Sequence, residues 1–549
     1  MEAYRTRTLT ESYWPAADIG GFRAWTLGHL LADTAARAPE RLALVAGTRD
    51  PAKRRTWTYR QLERDAHRVA GALLGRYRPG DRIAMWASNI PEWVLMLYGS
   101  ALAGMTLVTI NPAFRQRELE YVLERAEVSA LFVMDTYRGF EMHAAATSAA
   151  EKLNVPPDVF RIADFESFME SGDKDTALPT VSPDSPAMIM FTSGTTGAQK
   201  GIVLHHVGLV NMATFAQARG GLADGGVNVN IMPMFHLGAM GVGGIGSVAH
   251  RATHLLAEEW DPEFYMQLVQ EFGGTYSILV PTMIEALLTH PRRAEYDIST
   301  LRNLVAGAAK VEARTVRRAA SEMNCQIVIL FGQTEMHGVI SGVHMDDAVD
   351  DKTDTLGQPM PLIEVKIADI ETGEILPIGE IGEICIRGYQ QMIGYYKMPD
   401  ETAKVMRPNG WIHSGDLGTM DARGFLRITG RLKEMIIRGG ENIFPAEIEE
   451  LLREFPGVGD VAVVGVPDPH WGEQVGAVVI PSGEARPDPD EMRAFCRKNI
   501  AAHKAPSLWF FADGFPLTET GKVQKFKLRQ MIDAGSLNAA PLKQAQRPV

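Results

Sequence analysis

The segment that most constrains this chain is Phe191–Gly201, F-T-S-G-T-T-G-A-Q-K-G. It sets Thr192, Ser193, Thr195 and Thr196 around Gly194 and Gly197, then adds Lys200. Glycine lets a backbone bend tightly and approach a ligand closely. Successive amide N–H groups in such turns form a concavity that binds anions. With hydroxyls and one ammonium added, the natural target is a polyphosphate. The spacing departs from the Walker A loop, because Lys200 follows Gln199 and precedes Gly201 rather than Ser or Thr.

A chain of 549 residues is expected to divide into more than one folding unit. A net charge of -12 with no basic stripe argues against a nucleic-acid partner. Cys325, Cys385 and Cys496 lie far apart, without the spacing of a zinc knuckle or a disulfide framework, and a reducing cytoplasm is the expected location. Met1–Pro15 has charges and lacks the apolar stretch of a secretory signal. Two uncharged runs raise the question of a membrane span. Trp93–Phe114 contains Gly99, Gly104, Asn111 and Pro112 and reads as a core helix followed by the strand Leu107–Ile110. Gly225–His250 carries seven glycines and two asparagines, which suits the wall of a pocket rather than a span. No transmembrane segment is expected.

Short apolar strands alternate with helical patterns through the first 430 residues or so. Arg82–Trp86, Ala130–Val133, Ala187–Phe191, Ser277–Val280, Asn303–Ala306 and Ile327–Phe331 read as strands, which predicts an α/β fold with mixed or parallel sheets. From about residue 360 the texture changes, and Glu364–Asp369, Gly382–Arg387 and Phe425–Ile428 predict a β-rich subdomain. A small α+β domain is expected from 432 to 549, with helix Ala446–Phe455, strand Val458–Val466 and a loose tail from Ala539. The division is therefore 1–431 and 432–549.

Further segments carry chemistry in order: F-G-Q-T-E at Phe331–Glu335, W-I-H-S-G-D at Trp411–Asp416, G-R-L-K-E at Gly430–Glu434 and P-L-T-E-T-G-K-V-Q-K-F-K at Pro516–Lys527. Together with the phosphate loop they resemble the adenylate-forming enzymes: acyl-CoA synthetases, peptide-synthetase adenylation domains and luciferases. The run M-I-I-R-G-G-E-N-I-F-P at Met435–Pro445 looks most like the medium-chain acyl-CoA synthetase branch.

The resemblance implies a large N-terminal domain, a small mobile C-terminal one, and a two-step acyl activation with ATP, Mg²⁺ and coenzyme A. It places Thr192, Ser193, Gly194, Thr195, Thr196, Gly197 and Lys200 on the departing phosphates. Thr334 then meets the α-phosphate, and Glu335, with Thr196, the metal. Phe331, Gly332, Gln333, Gly307, Ala308 and Ala309 line the adenylate, and Lys310 stands where many relatives have Pro. Asp416, Ile428 and Arg431 position the nucleoside, with Ser414 where many relatives carry Thr. Lys522 is implied as the adenylation lysine, whose compact ammonium can bridge two oxygens. Lys433 falls at the hinge, and Gly439, Gly440 and Glu441 line the CoA tunnel.

The acyl pocket is implied at Phe235, His236, Gly238, Gly241, Gly307 and Gly332. The segment holds no Asp to meet an amino acid's ammonium, and its glycines leave room for an apolar tail or ring. The expected reaction is an acid–CoA ligation on medium-chain fatty acids. Alternatives are an aryl, cinnamate-type or bulky cyclic acid, or acyl transfer to a carrier protein. A non-catalytic acyl or nucleotide sensor would be expected to lose Lys522 or Glu335, and both are present. Gly241–Gly246 also fits G-x-G-x-x-G with Asp261 following, but dinucleotide binding requires a strand immediately before it. Homodimer formation is left open.

Overall fold

The computed structural model describes residues 5–172, 176–192, 199–307, 311–439, 441–483, 485–517 and 523–540. Of the residues singled out above, Ser193, Gly194, Thr195, Thr196, Gly197, Ala308, Ala309, Lys310, Gly440 and Lys522 lie outside the described residues, as does the side chain of Thr192.

The first sheet has seven strands, in the order Gly394–Tyr395, Lys200–His205, Pro186–Thr192, Thr106–Ile110, Arg82–Trp86, Ala130–Val133, Asp158–Arg161. From Pro186–Thr192 to Asp158–Arg161 the pairing is parallel; Lys200–His205 pairs antiparallel with Pro186–Thr192 and with Gly394–Tyr395 on its other side. A parallel sheet is buried on both faces, so its strands read as continuous apolar runs. Thr106–Ile110 is buried at every position. The preceding helix, Glu92–Leu102, is buried on nearly all sides, which explains an uncharged run long enough to mimic a span. Among the described residues no helix is long and apolar enough to cross a membrane.

A second sheet of nine strands runs from Gln358–Pro359 through Gly338–Gly342, Gln326–Gln333, Asn303–Ala306, Tyr276–Ile278, Val227–Asn230, Thr253–Ala257 and Leu42–Gly47 to Thr56–Thr58. The expected strand Ser277–Val280 ends early, at Ile278, and Val280, extended at φ -79°, ψ 157° before Pro281, serves as the N-cap of the following helix.

The β-rich region is an antiparallel sheet of Ile363–Ala368, Gly382–Gly388, Ile412–Met420 and Leu426–Arg431. It also recruits Tyr13–Trp14 from the N-terminal segment, a partner that sequence reading did not assign. Trp14 is fully buried there, and a Cβ on Gly424 would lie 2.2 Å from its ring.

The C-terminal region holds a five-stranded sheet around the long pair Val458–Asp468 and Gly472–Pro481, with Leu508–Phe511 parallel to the latter. Helix Pro445–Arg453 buries Ile448 and Leu452 against it. The expected loose tail is held at its start, where the Ala540 N–H donates to the Trp509 carbonyl at 2.7 Å.

Candidate active site

The polyphosphate-type segment joins two antiparallel strands, Pro186–Thr192 and Lys200–His205, with Thr192 paired to Lys200 and Phe191 to Gly201. The neighbouring helix Gln116–Ala126 supports the outgoing flank, where the Tyr121 hydroxyl donates to the Gln199 carbonyl at 2.7 Å. Lys200 therefore stands at a fixed point on a strand. Its Nζ pairs with Glu401 at 2.5 Å and lies 4.7 Å from the centre of the Tyr395 ring. Glu401 also takes Lys404, and these two ammonium groups, Lys200 first, draw its carboxyl down to about 2.

The strand Gln326–Gln333 delivers Phe331, Gly332 and Gln333, and a single 3₁₀ turn follows at Thr334–Met336. Glu335 is half-buried at this corner. The Tyr395 hydroxyl donates to its Oε1 at 3.0 Å, and the Met392 N–H donates to its carbonyl at 2.8 Å. Burial first, and then the Glu335 charge, pushes the Tyr395 phenol upward, so it stays a donor. Lys200, Tyr395 and Glu335 form one contiguous group although they lie far apart in the chain.

Two buried histidines lock this corner from behind. His337, at φ 54°, accepts the His205 N–H on Nε2 at 2.9 Å, leaving Nδ1 to donate to the Gln390 carbonyl at 2.8 Å. His205 accepts the Gly208 N–H on Nδ1 at 3.0 Å and donates from Nε2 to the Gln391 carbonyl at 2.9 Å. Both rings are thus neutral, and burial holds both below the usual histidine range. Tyr395, Glu401 and this histidine pair escaped sequence reading. The run Gly394-Tyr395-Tyr396 and the doublet His205-His206 were the available signals.

The glycines of the segment expected to line the acyl pocket lie in a π-helical stretch, Gly238–Ile245, all but its first residue buried. Such helices are rare and recur at functional sites. The strand that the dinucleotide pattern requires is absent, since Val227–Asn230 ends well before Gly241 and a turn intervenes. Phe235 and His236 pack ring against ring at 4.2 Å, and the Thr109 hydroxyl donates to the Phe235 carbonyl at 3.1 Å. Gly241 and Gly338 both face Met212 and Leu237. Gly338 in turn abuts Gly332 so closely that a Cβ on Gly332 would sit 1.6 Å from the Gly338 carbonyl oxygen. A Cβ on Gly307 would lie 3.0 Å from the Leu330 carbonyl oxygen, whereas Gly238 faces open space.

Asp416 and Arg431 are cross-strand partners and form an ion pair, with Arg431 Nε 3.0 Å from Asp416 Oδ1. The carboxylate side chain is 2% exposed and the guanidinium 46%. Ile428 lies on the same strand as Arg431, and at 46% exposure it presents an apolar surface to solvent. Lys433 is exposed in a 3₁₀ turn, Leu432–Glu434, between the last strand of the β-rich sheet and the first of the C-terminal sheet. Gly439 and Glu441 belong to the C-terminal hairpin, where the Gly439 N–H donates to the Trp471 carbonyl at 2.8 Å.

This arrangement offers a fixed ammonium and a tyrosine-held carboxylate at one corner, a shielded carboxylate with an arginine at another, and a small-residue wall beside Phe235. Comparison with known proteins agrees with it. Residues 31–396 match the AMP-binding enzyme family and residues 447–522 the AMP-binding enzyme C-terminal domain. The mitochondrial medium-chain acyl-CoA ligase ACSF2 of Rattus norvegicus is 34% identical over 544 residues, 92% of this chain and 88% of that protein. A propanoyl:CoA ligase of Rhodococcus jostii, whose named substrate carries a methyl-dioxo-octahydroindenyl group, is 35% identical over 86% of this chain and 93% of that protein. The crystal structure of ATP-bound MatB from Rhodopseudomonas palustris superposes with a TM-score of 0.82 at 27% identity, covering 92% of this chain and 99% of that one. The chain belongs to the AMP-binding enzyme family, and within it to the AMP-forming acyl-CoA synthetases.

Proposed function

We propose that the chain ligates a medium-chain fatty acid to coenzyme A in two half-reactions. In the first, a carboxylate oxygen of the acid attacks the α-phosphorus of ATP. A new O–P bond forms, the bond to the β-phosphate bridge breaks, and pyrophosphate leaves. In the second, the CoA sulfur attacks the acyl carbon, the bond to AMP breaks, AMP leaves, and the thiol proton is lost. The observation that carries this reading is the Lys200–Tyr395–Glu335 group at the end of the glycine-rich hairpin.

Each proposed role follows from chemistry. Lys200 offsets the charge of the departing phosphates, exchanging Glu401 for them, and Thr334 donates toward the α-phosphate. Glu335, its orientation set by the Tyr395 hydroxyl, is a hard oxygen donor of the kind that suits Mg²⁺, which keeps several waters and bridges to phosphates. When bound, the ion neutralises charge between anion and polyanion. Asp416 accepts from ribose hydroxyls, and Arg431 covers the same sugar. Lys522, outside the described residues, supplies the ammonium between carboxylate and α-phosphate. Lys433 is the hinge about which the C-terminal region turns to bring Gly439–Glu441 to the thioester step.

The apolar character of the acyl segment supports a hydrocarbon tail, and no carboxylate stands there to hold an amino group. A bulky cyclic acid is the second reading. The open space beside Gly238 favours it, and the Rhodococcus jostii relative acts on an acid of that kind. The short connection Gly430–Glu441 has no insertion to block rotation, which favours CoA over a carrier protein. Three buried free cysteines fit a cytoplasmic protein.

Pyrophosphate release should be followed with ATP and Mg²⁺ over a panel from acetate to palmitate, with benzoate, cinnamates and a bulky cyclic acid, each with and without CoA. Sustained turnover requiring both CoA and medium-chain acids is expected. Turnover confined to cyclic acids would select the second reading. A burst indifferent to CoA would select carrier-protein delivery.

A further inference from the structure

The strand that carries Asp416 is interrupted by a bulge of two extra residues. In the register with Gly382–Gly388, Leu417 pairs with Glu383 and His413 with Cys385. Ser414, Gly415 and Asp416 therefore stand opposite Ile384 alone. Gly415 sits at φ +72°, in the left-handed region that L side chains rarely adopt. A bulge of this kind re-aims a side chain, and it also removes backbone groups from the ladder that must be satisfied elsewhere.

The substitute partners come from side chains. Glu383 Oε1 accepts the Gly415 N–H at 2.9 Å, and the Ser414 hydroxyl accepts the Asp416 N–H at 3.0 Å. Glu383 is buried at 5% exposure, and its second oxygen is held by His413 Nδ1 at 2.6 Å. The carboxylate is thus fixed at both ends, to the bulge and to the residue before it. Cys385 closes the back, with its Sγ 3.6 Å from His413 Nδ1. Donor atoms of Glu383, Cys385 and His413 lie within 4.8 Å of one another, the spacing of a metal site. Two tetrahedral ligands at about 2.0–2.1 Å from one ion would stand about 3.3 Å apart, however. The 2.6 Å separation of His413 and Glu383 is that of a hydrogen bond.

We propose that Glu383 and His413 are positioning residues for the nucleoside site. They clamp the Ser414–Asp416 bulge so that the Asp416 carboxylate is aimed before ATP arrives. The assignment rests on the proposed role of Asp416 as the ribose acceptor. Glu383 and Asp416 are both carboxylates on adjacent strands, and their division of labour follows from partners. One is spent on a backbone amide and an imidazole, and the other meets an exposed guanidinium.

The test is steady-state kinetics in ATP with the full-length enzyme. Glu383→Ala and His413→Leu are each expected to raise KM for ATP by about ten- to a hundredfold, the range for losing a hydrogen bond to a charged group. kcat should stay within about threefold. His413→Asn keeps an N–H near the Nδ1 position and is expected to return KM to within about threefold of the parent, which a purely packing role would not produce. Added to Asp416→Ala, Glu383→Ala should raise KM no further, because the group it aims is gone. If Glu383→Ala does not fold, the two His413 variants decide alone. Unchanged KM in His413→Leu, with a raised KM in Asp416→Ala, would overturn the positioning role and leave Asp416 standing. Unchanged KM in Asp416→Ala would overturn the ribose reading and the clamp together.

Discussion

The hydroxyl of Tyr395 donates to Glu335 at 3.0 Å, joining a two-residue edge strand to the turn that ends a strand of a different sheet. The same ring lies beneath the Lys200 ammonium. One aromatic residue thus sets the distance between the cation and the anion of the candidate site.

Tyr395→Phe keeps the ring and removes only the hydroxyl. The Glu335 carboxylate then loses a donor, a loss of about 1.5–3 kcal/mol for a charged partner. Adenylate formation is expected to fall about ten- to a hundredfold, with a higher Mg²⁺ concentration needed for half-maximal rate. Pyrophosphate exchange titrated with Mg²⁺ checks it. An unchanged Mg²⁺ dependence would detach Tyr395 from the metal.

Glu401 supplies a pH signature. Lys200 first, then Lys404, lowers its carboxyl from an ordinary 4.5 to about 2. A depressed acid contributes stability that is complete above its unfolded value and is lost as pH falls toward the folded one. The difference in thermal midpoint between the parent and Glu401→Gln should therefore be constant above about pH 5 and shrink as pH falls below about 4.5. Calorimetry across that window measures it, and a difference that persists at the acid end would mean the Glu401 charge is not its source.

The two half-reactions separate Lys522 from Lys433. Lys522→Ala is expected to lower acyl-adenylate formation by about a thousandfold or more, the scale of losing a preorganised charge at the transition state, with the fold intact. Lys433→Pro should spare adenylation and slow thioester formation, because proline fixes φ at the proposed hinge. Single-turnover assays of each step decide between them. Equal losses in both steps for Lys433→Pro would remove the hinge role.

Gly332 and Gly238 should respond in opposite ways. Gly332→Ala drives a Cβ to 1.6 Å from the Gly338 carbonyl oxygen, so the strand pair must part, and a strong loss of thermal stability is expected. Gly238 has nothing within 4 Å, so Gly238→Val should fold normally and shift acyl preference toward shorter or slimmer acids. Melting curves and the acid panel read the two effects separately.

Much of the scaffold was legible in the chain. Arg82–Trp86, Ala130–Val133 and Asn303–Ala306 were read with the boundaries they have in the fold, because strands buried on both faces must be uninterrupted apolar runs. The glycine-rich segment, Phe331–Glu335 and Trp411–Asp416 were visible because their residue types follow, in order, the motifs of the adenylate-forming enzymes they resemble. What the sequence could not supply was adjacency. Tyr395 meets Glu335 because the Gly394–Tyr395 strand pairs with Lys200–His205, and Glu383 meets Gly415 because a bulge shifts the register by two residues. Pairing between distant strands is settled by the packing of whole sheets, and local periodicity carries no record of it. The sequence determined which chemical groups are present and which backbone shapes they permit. The tertiary structure alone decided which carboxylate is held by an amide and an imidazole and which is turned toward an arginine.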